Sequence, residues 1–168
     1  MRRLVHGGAA ALFLLLAVHP AVAEPLKAGA VFPDFAGFEL TGNLPELGEA
    51  KVVIVDFWAS WCAPCKASFP VFDSLYREFG DKGLVIIAVS VDRNAKAMEA
   101  FLQRMKPAFS VVRDTQQKLV AAVEAPAMPT SFVLDGDRRV RFVHEGFHGE
   151  KSRREYEKEI ASILAETP

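Results

Sequence analysis

The apolar positions of this chain come in two rhythms, and each change of rhythm marks an element. Val52-Val53-Ile54-Val55-Asp56-Phe57 is a nearly continuous run of mostly β-branched residues, the mark of a strand buried on both faces. Phe69, Phe72, Leu75 and Phe79 then recur at helical spacing up to Gly80, which predicts a helix closed by that glycine. Leu84 to Val91 is a second buried-strand run. Asp92 or Asn94 can cap a helix whose apolar face is Ala97, Phe101, Leu102 and Met105, ended by Pro107. A short strand near Phe109 to Val112 follows, then a helix carrying Leu119, Val120 and Val123 and stopped by Pro126.

The order changes towards the C-terminus. Ser131 to Leu134, a turn at Asp135-Gly136-Asp137, and Val140 to His144 read as an antiparallel hairpin. Ser152 with Glu155 three residues later has the form of a capping box, opening a last helix that buries Tyr156, Ile160, Ile163 and Leu164. Upstream, Pro25 to Gly48 reads as a lead-in with short edge strands. Interleaved strands and helices, then a hairpin and a helix, predict an α/β fold: a mixed central sheet with helices on both faces.

Composition adds a division at the N-terminus. The chain has 168 residues, 51% hydrophobic and 24% charged, as expected of one globular domain. Arg2 and Arg3 precede an apolar run from Ala9 to Val18, and Ala21-Val22-Ala23 places small residues before Glu24. Residues 1–23 therefore read as a secretory signal, with an uncleaved membrane anchor as the alternative. Residues 24–168 form the expected domain, and they carry 21 acidic against 18 basic residues. Beyond Arg138, Arg139 and Arg141 there is no basic cluster, so nothing asks for nucleic acid.

Export gives weight to the only two cysteines, Cys62 and Cys65, in "WASWCAPC". As a staple the pair closes a very short loop, where cross-linking stabilises least. Structural zinc commonly takes four ligands, and the domain offers only His144 and His148 besides, far along the chain. A haem attachment would need His rather than Lys66 after Cys65. A redox pair fits better. Cys62 falls between a buried strand and a helix, where unpaired N–H groups favour a thiolate. Cys65 lies within the first turn, and Pro64 is tolerated there. One sulfur can attack a disulfide and the other can resolve the mixed intermediate.

At this point the sequence resembles the thioredoxin superfamily. "VDFWASWCAPCK" is similar to its active site, and Met128-Pro129-Thr130 to its cis-proline loop. The longer spacing between these motifs, the lead-in "GAVFPDF" and the segment "SVDRNAKAMEAFL" resemble the TlpA-like branch of exported thiol–disulfide oxidoreductases. The resemblance implies a thioredoxin-like fold with an inserted strand–helix region. It implies Cys62 as exposed nucleophile, Cys65 as buried partner, and Asp56 as the buried acid that shuttles a proton to or from Cys65. It implies a cis bond before Pro129, with the backbone around Met128 and Thr130 receiving a client peptide and Trp61 forming a rim. No added cofactor and no metal are expected; the redox group is the cysteine pair itself.

Two positions depart from the pattern. The glutamate that many cytochrome-maturation members carry three residues after the second cysteine is Ser68 here. The lysine that faces the buried acid in thioredoxin is replaced by Ala88. Known dithiol centres span roughly −270 to −120 mV, and the absence of histidine between the cysteines points to the reducing half. The expected protein is thus a periplasmic protein-disulfide reductase. By resemblance, its electrons come from a membrane thiol carrier of the DsbD or CcdA kind. Its clients are exported proteins with oxidised cysteines, such as apocytochrome c or copper-site proteins. The alternative is a copper(I)-delivery module, since soft thiolates suit that ion.

Overall fold

The computed structural model describes residues 25–166; the expected signal segment, residues 1–23, lies outside them. Among the described residues no helix is long and apolar enough to cross a membrane. Six strands form one sheet: β1 (Leu40–Gly42), β2 (Val52–Trp58), β3 (Leu84–Ser90), β4 (Ser110–Asp114), β5 (Thr130–Asp135) and β6 (Val140–Glu145). Their spatial order is β1-β4-β3-β2-β5-β6. β2, β3 and β4 run parallel, while β5, β6 and β1 pair antiparallel to their neighbours. The sheet is mixed, as the pattern predicts.

β2 lies at the centre and is buried along its whole length. Its two faces meet different layers. Trp58 packs on Phe69 of α1 (Ala63–Phe79) and on Phe101 of α2 (Ala95–Met105). Phe72 of α1 in turn meets Tyr156 of α4 (Glu150–Glu166). α1, α2 and α4 therefore share one face. On the other, Phe57 meets Phe132, which meets Phe32 of the lead-in, which meets Phe35 in a 3-10 turn at Phe35–Gly37. The short α3 (Lys118–Ala122) belongs to this side, because Val123 just beyond it lines one cavity with Phe132 and Val143. Each fully buried aromatic of these two layers stabilises the fold by about 2–3 kcal/mol.

Gly80 caps α1 as expected, its N–H bonded to the carbonyl of Tyr76, though not in the left-handed region. The chain tightens into a 3-10 turn, Gly80–Lys82, and the left-handed residue is Gly83, at φ 105°. Asn94 rather than Asp92 caps α2, accepting from the N–H of Lys96 at 3.0 Å. Ser152 is not an N-cap: α4 begins at Glu150, and the buried Ser152 hydroxyl accepts from the N–H of His148 at 3.0 Å. The inserted α2 and β4 lie between β3 and α3, and they bring β1 in as an edge strand beside β4.

Candidate active site

Strand β2 delivers the chain to the site and α1 receives it. Cys62 is the N-cap of α1, with Ala63 and Pro64 in the first turn. The backbone N–H of Cys65 points at the sulfur of Cys62, 3.2 Å away. Cys62 and Cys65 are joined by a disulfide, with Cα atoms 5.3 Å apart. Cys62 keeps 5% of its surface exposed and Cys65 none, so an incoming thiol meets Cys62 first. When the bond is open, the helix N-terminus and that N–H favour negative charge on the sulfur of Cys62.

Opposite the pair stands the loop before β5. The Met128–Pro129 peptide bond is cis. The carbonyl oxygen of Met128 lies 3.5 Å from the sulfur of Cys62. Thr130 is buried, and its hydroxyl donates to the carbonyl of Ala127 at 2.8 Å, closing the turn. Trp61, next to the nucleophilic position, is 69% exposed, an unusual setting for so large an apolar ring. It borders a depression of about 350 Å³ with Val91, Arg93, Asn94 and Gln117. A larger hollow of about 580 Å³, over Leu26, Val123, Phe132 and Phe142, is lined by neither cysteine.

Asp56 is fully buried on β2, two residues before Trp58 on the same face. Its sheet neighbours are Ala88 on β3 and Ser131 on β5. The Ser131 hydroxyl donates to Oδ1 at 2.6 Å, while Oδ2 is buried without a partner. Burial pushes the Asp56 carboxyl up to about 7, against the pull of the Ser131 hydrogen bond. Behind Ser131, the Tyr156 hydroxyl donates to it at 2.9 Å. Burial, and then the charge of Asp56, push the Tyr156 phenol above its ordinary range.

The structure thus sets Cys62 against Cys65 and the Met128 carbonyl, with Pro129 next in sequence, Trp61 exposed beside Cys62, and Asp56 buried on the strand that leads in. Ser131, Tyr156 and Asp92 were not singled out for the site by the sequence. Asp92 accepts from the N–H and the hydroxyl of Ser60, each at 2.8 Å, and from Ser90. It ties down the residue two before Cys62. Ser68 is buried and donates to the carbonyl of Cys65 at 2.8 Å. His144, weighed as a metal ligand, pairs instead with Glu159 at 2.7 Å.

A family model described as thioredoxin-like matches residues 48–140, which span the disulfide, Asp56 and the cis proline. The chain belongs to the thioredoxin-like family. Within that family it is 33% identical over 119 residues to the thiol-disulfide oxidoreductase ResA of Bacillus anthracis, covering 70% of this chain and 69% of the relative. Over 139 residues it is 30% identical to ResA of Bacillus thuringiensis subsp. konkukian, covering 82% and 80%. Among solved structures it resembles one from Chlorobium tepidum described as a candidate thiol:disulfide interchange protein DsbE. The TM-score there is 0.75 at 31% identity, with 83% of this chain and 99% of that one covered. StoA of Bacillus subtilis matches at TM-score 0.57 and 26% identity, covering 65% and 84%. These relatives, together with the disulfide between Cys62 and Cys65, make this thioredoxin-like chain a thiol–disulfide oxidoreductase of the ResA and DsbE type.

Proposed function

We propose that this protein is an exported protein-disulfide reductase working in the periplasm, and that Cys62, Cys65 and Asp56 carry the reaction. The observation that carries this reading is the disulfide at the N-terminus of α1, open to solvent only at Cys62, with a buried, half-partnered carboxylate on the strand that leads into it.

In the reduced protein the Cys62 thiolate attacks one sulfur of a client disulfide. The other client sulfur leaves as a thiolate with the bonding pair and takes a proton from water. Cys65 then gives its proton to Asp56, and its sulfur attacks Cys62. The bond between Cys62 and the client breaks, the client's second thiolate departs, and the Cys62–Cys65 disulfide forms. Two electrons have passed from the pair to the client. An external dithiol reverses these steps; a membrane thiol carrier of the DsbD or CcdA kind is the proposed source. No added cofactor takes part. A client in extended form would pair with the backbone at Met128, beside Pro129, with Trp61 covering its apolar side, while Thr130 is already held between Phe57 and Glu145 in the sheet. Apocytochrome c and copper-site cysteines are the proposed clients, and cleavage after Ala23 the proposed route of export.

The copper(I)-delivery reading has less behind it. Among the described residues no three His, Cys, Asp or Glu side chains gather where they could hold a metal ion, so the two thiolates have no third ligand of those types. Insulin reduction with dithiothreitol as donor separates the readings. The wild type should accelerate it and Cys62→Ser should not; stoichiometric copper(I) binding with no insulin turnover would overturn the reductase.

A further inference from the structure

Asp56, Ser131 and Tyr156 are far apart in sequence, and the sheet register and α4 bring them into one file. Ser131 stands directly beside Asp56 across the β2–β5 pairing, and His144 stands beside Ser131 across β5–β6. α4 lowers Tyr156 onto this row, where its ring lies 5.2 Å from Phe72 and 4.5 Å from His144. The distances along the file are 2.9 Å from Tyr156 to Ser131 and 2.6 Å from Ser131 to Asp56.

Each hydroxyl in the file has one proton, which fixes the direction in which the file donates. Among the described residues the Tyr156 hydroxyl has no other hydrogen-bond partner than Ser131. If Ser131 turned its proton towards Tyr156, the phenol proton would be left without an acceptor in a buried site. Oδ1 of Asp56 would lose its donor as well. Both losses are costly. The file therefore donates one way, from Tyr156 to Ser131 to Oδ1, and Oδ1 stays an acceptor. A proton arriving at Asp56 has only Oδ2, which is buried and unpartnered.

Resting on the reading of Asp56 as the proton acceptor, we propose that Ser131 and Tyr156 are positioning residues for the redox step. They hold Oδ1 as an acceptor, so that the proton leaving Cys65 is carried on Oδ2. The S–H bond of Cys65 breaks, an O–H bond forms at Oδ2, and the electron pair stays on sulfur for its attack on Cys62. On re-reduction Oδ2 returns the proton to the Cys65 sulfur. The file also takes the place of a cation, since the β3 neighbour of Asp56 is Ala88. The titratable and charged groups around it are Tyr156, Glu155 and Glu159 on α4, and His144 on β6, which is bonded to Glu159.

The test is single-turnover reaction of the fully reduced protein with 5,5′-dithiobis(2-nitrobenzoate), followed by stopped flow against pH. The first chromophore released reports attack by Cys62 and the second reports attack by Cys65. In the wild type the second phase should gain rate through a midpoint near the Asp56 value of about 7. Ser131→Ala removes the donor that favours the carboxylate, so the midpoint should move up by roughly one pH unit, a tenfold change in proton affinity. Ser131→Thr should restore it. Tyr156→Phe keeps the ring packing and should move it the same way by about two- to threefold in affinity, so it decides the matter even if Ser131→Ala folds poorly. The first phase should not change in any of these variants. Asp56→Asn should remove the midpoint altogether. If it does so while Tyr156→Phe and Ser131→Ala leave the midpoint in place, the positioning role is wrong and the reading of Asp56 survives. If Asp56→Asn keeps the midpoint, both fall.

Discussion

The carboxylate of Asp92 accepts from both the backbone N–H and the hydroxyl of Ser60, each at 2.8 Å across 32 residues of sequence. Beside it the N–H of Val91 donates to the carbonyl of Trp58 at 2.9 Å. The end of β3 thus clamps the tripeptide that leads from β2 into the disulfide. Asp92→Ala should leave Ser60 without its acceptor and lower stability by about 2–4 kcal/mol. A lower urea midpoint at unchanged slope would show the first effect. Slower attack by Cys62 on a small disulfide would show that the clamp also aims the nucleophile. An unchanged midpoint would mean the clamp is idle.

Cys65→Ser leaves the attacking sulfur in place and removes the resolving one. Incubated with oxidised exported proteins, this variant should accumulate disulfide-linked adducts that dithiothreitol releases, visible as slower bands on non-reducing gels and identifiable by mass spectrometry. Cys62→Ser should give none, because the remaining cysteine has no exposed surface.

Asp56 gives the oxidised protein a pH dependence of stability with a definite sign. Its carboxyl titrates near 3.8 when unfolded and near 7 when folded. Between these values the folded state holds a proton that the unfolded state has lost, so stability is fully present below pH 3.8 and falls as pH rises to about 7. The expected loss from this one group is on the order of 4 kcal/mol. Asp56→Asn cannot titrate and should flatten that slope, making the variant more stable than the wild type at pH 8. Denaturant titrations of both proteins at pH 4, 6 and 8 would measure it; parallel curves would contradict the burial effect.

Phe69 anchors α1. Its ring meets Trp58 at 4.6 Å, Phe101 at 5.0 Å and Phe109 at 5.3 Å. Phe69→Ala should cost about 3–5 kcal/mol through lost burial and the cavity left behind. Calorimetry of the oxidised form would record it as a lower melting temperature, and a cost under about 1 kcal/mol would show that the layer can collapse around the gap.

The strands, the helices and the cysteine pair could be read from the chain because each announces itself locally, through β-branched runs, helical spacing and a motif. Elsewhere a hydrogen-bond partner outside the local pattern decided the matter. Ser152 and Glu155 have the spacing of a cap, but the helix begins two residues earlier at Glu150, and the Ser152 hydroxyl serves the N–H of His148 instead. Asp92 looks like a helix cap and is drawn away by Ser60 and Ser90. Ser131 reads as one more strand residue. Only the register that sets it beside Asp56, and the approach of α4, give its hydroxyl a task. Lateral neighbours in a sheet leave no signature in a single sequence, and hydroxyls that act through their neighbours leave less.

Cys62 and Cys65 are three residues apart, whereas the aromatic layers that hold the domain together draw on segments from Phe32 to Tyr156. Making or cutting the sulfur bond therefore changes the freedom of a single helical turn and leaves the architecture to rings that never react. The bond that reacts and the contacts that hold the fold are thus kept in separate parts of the molecule.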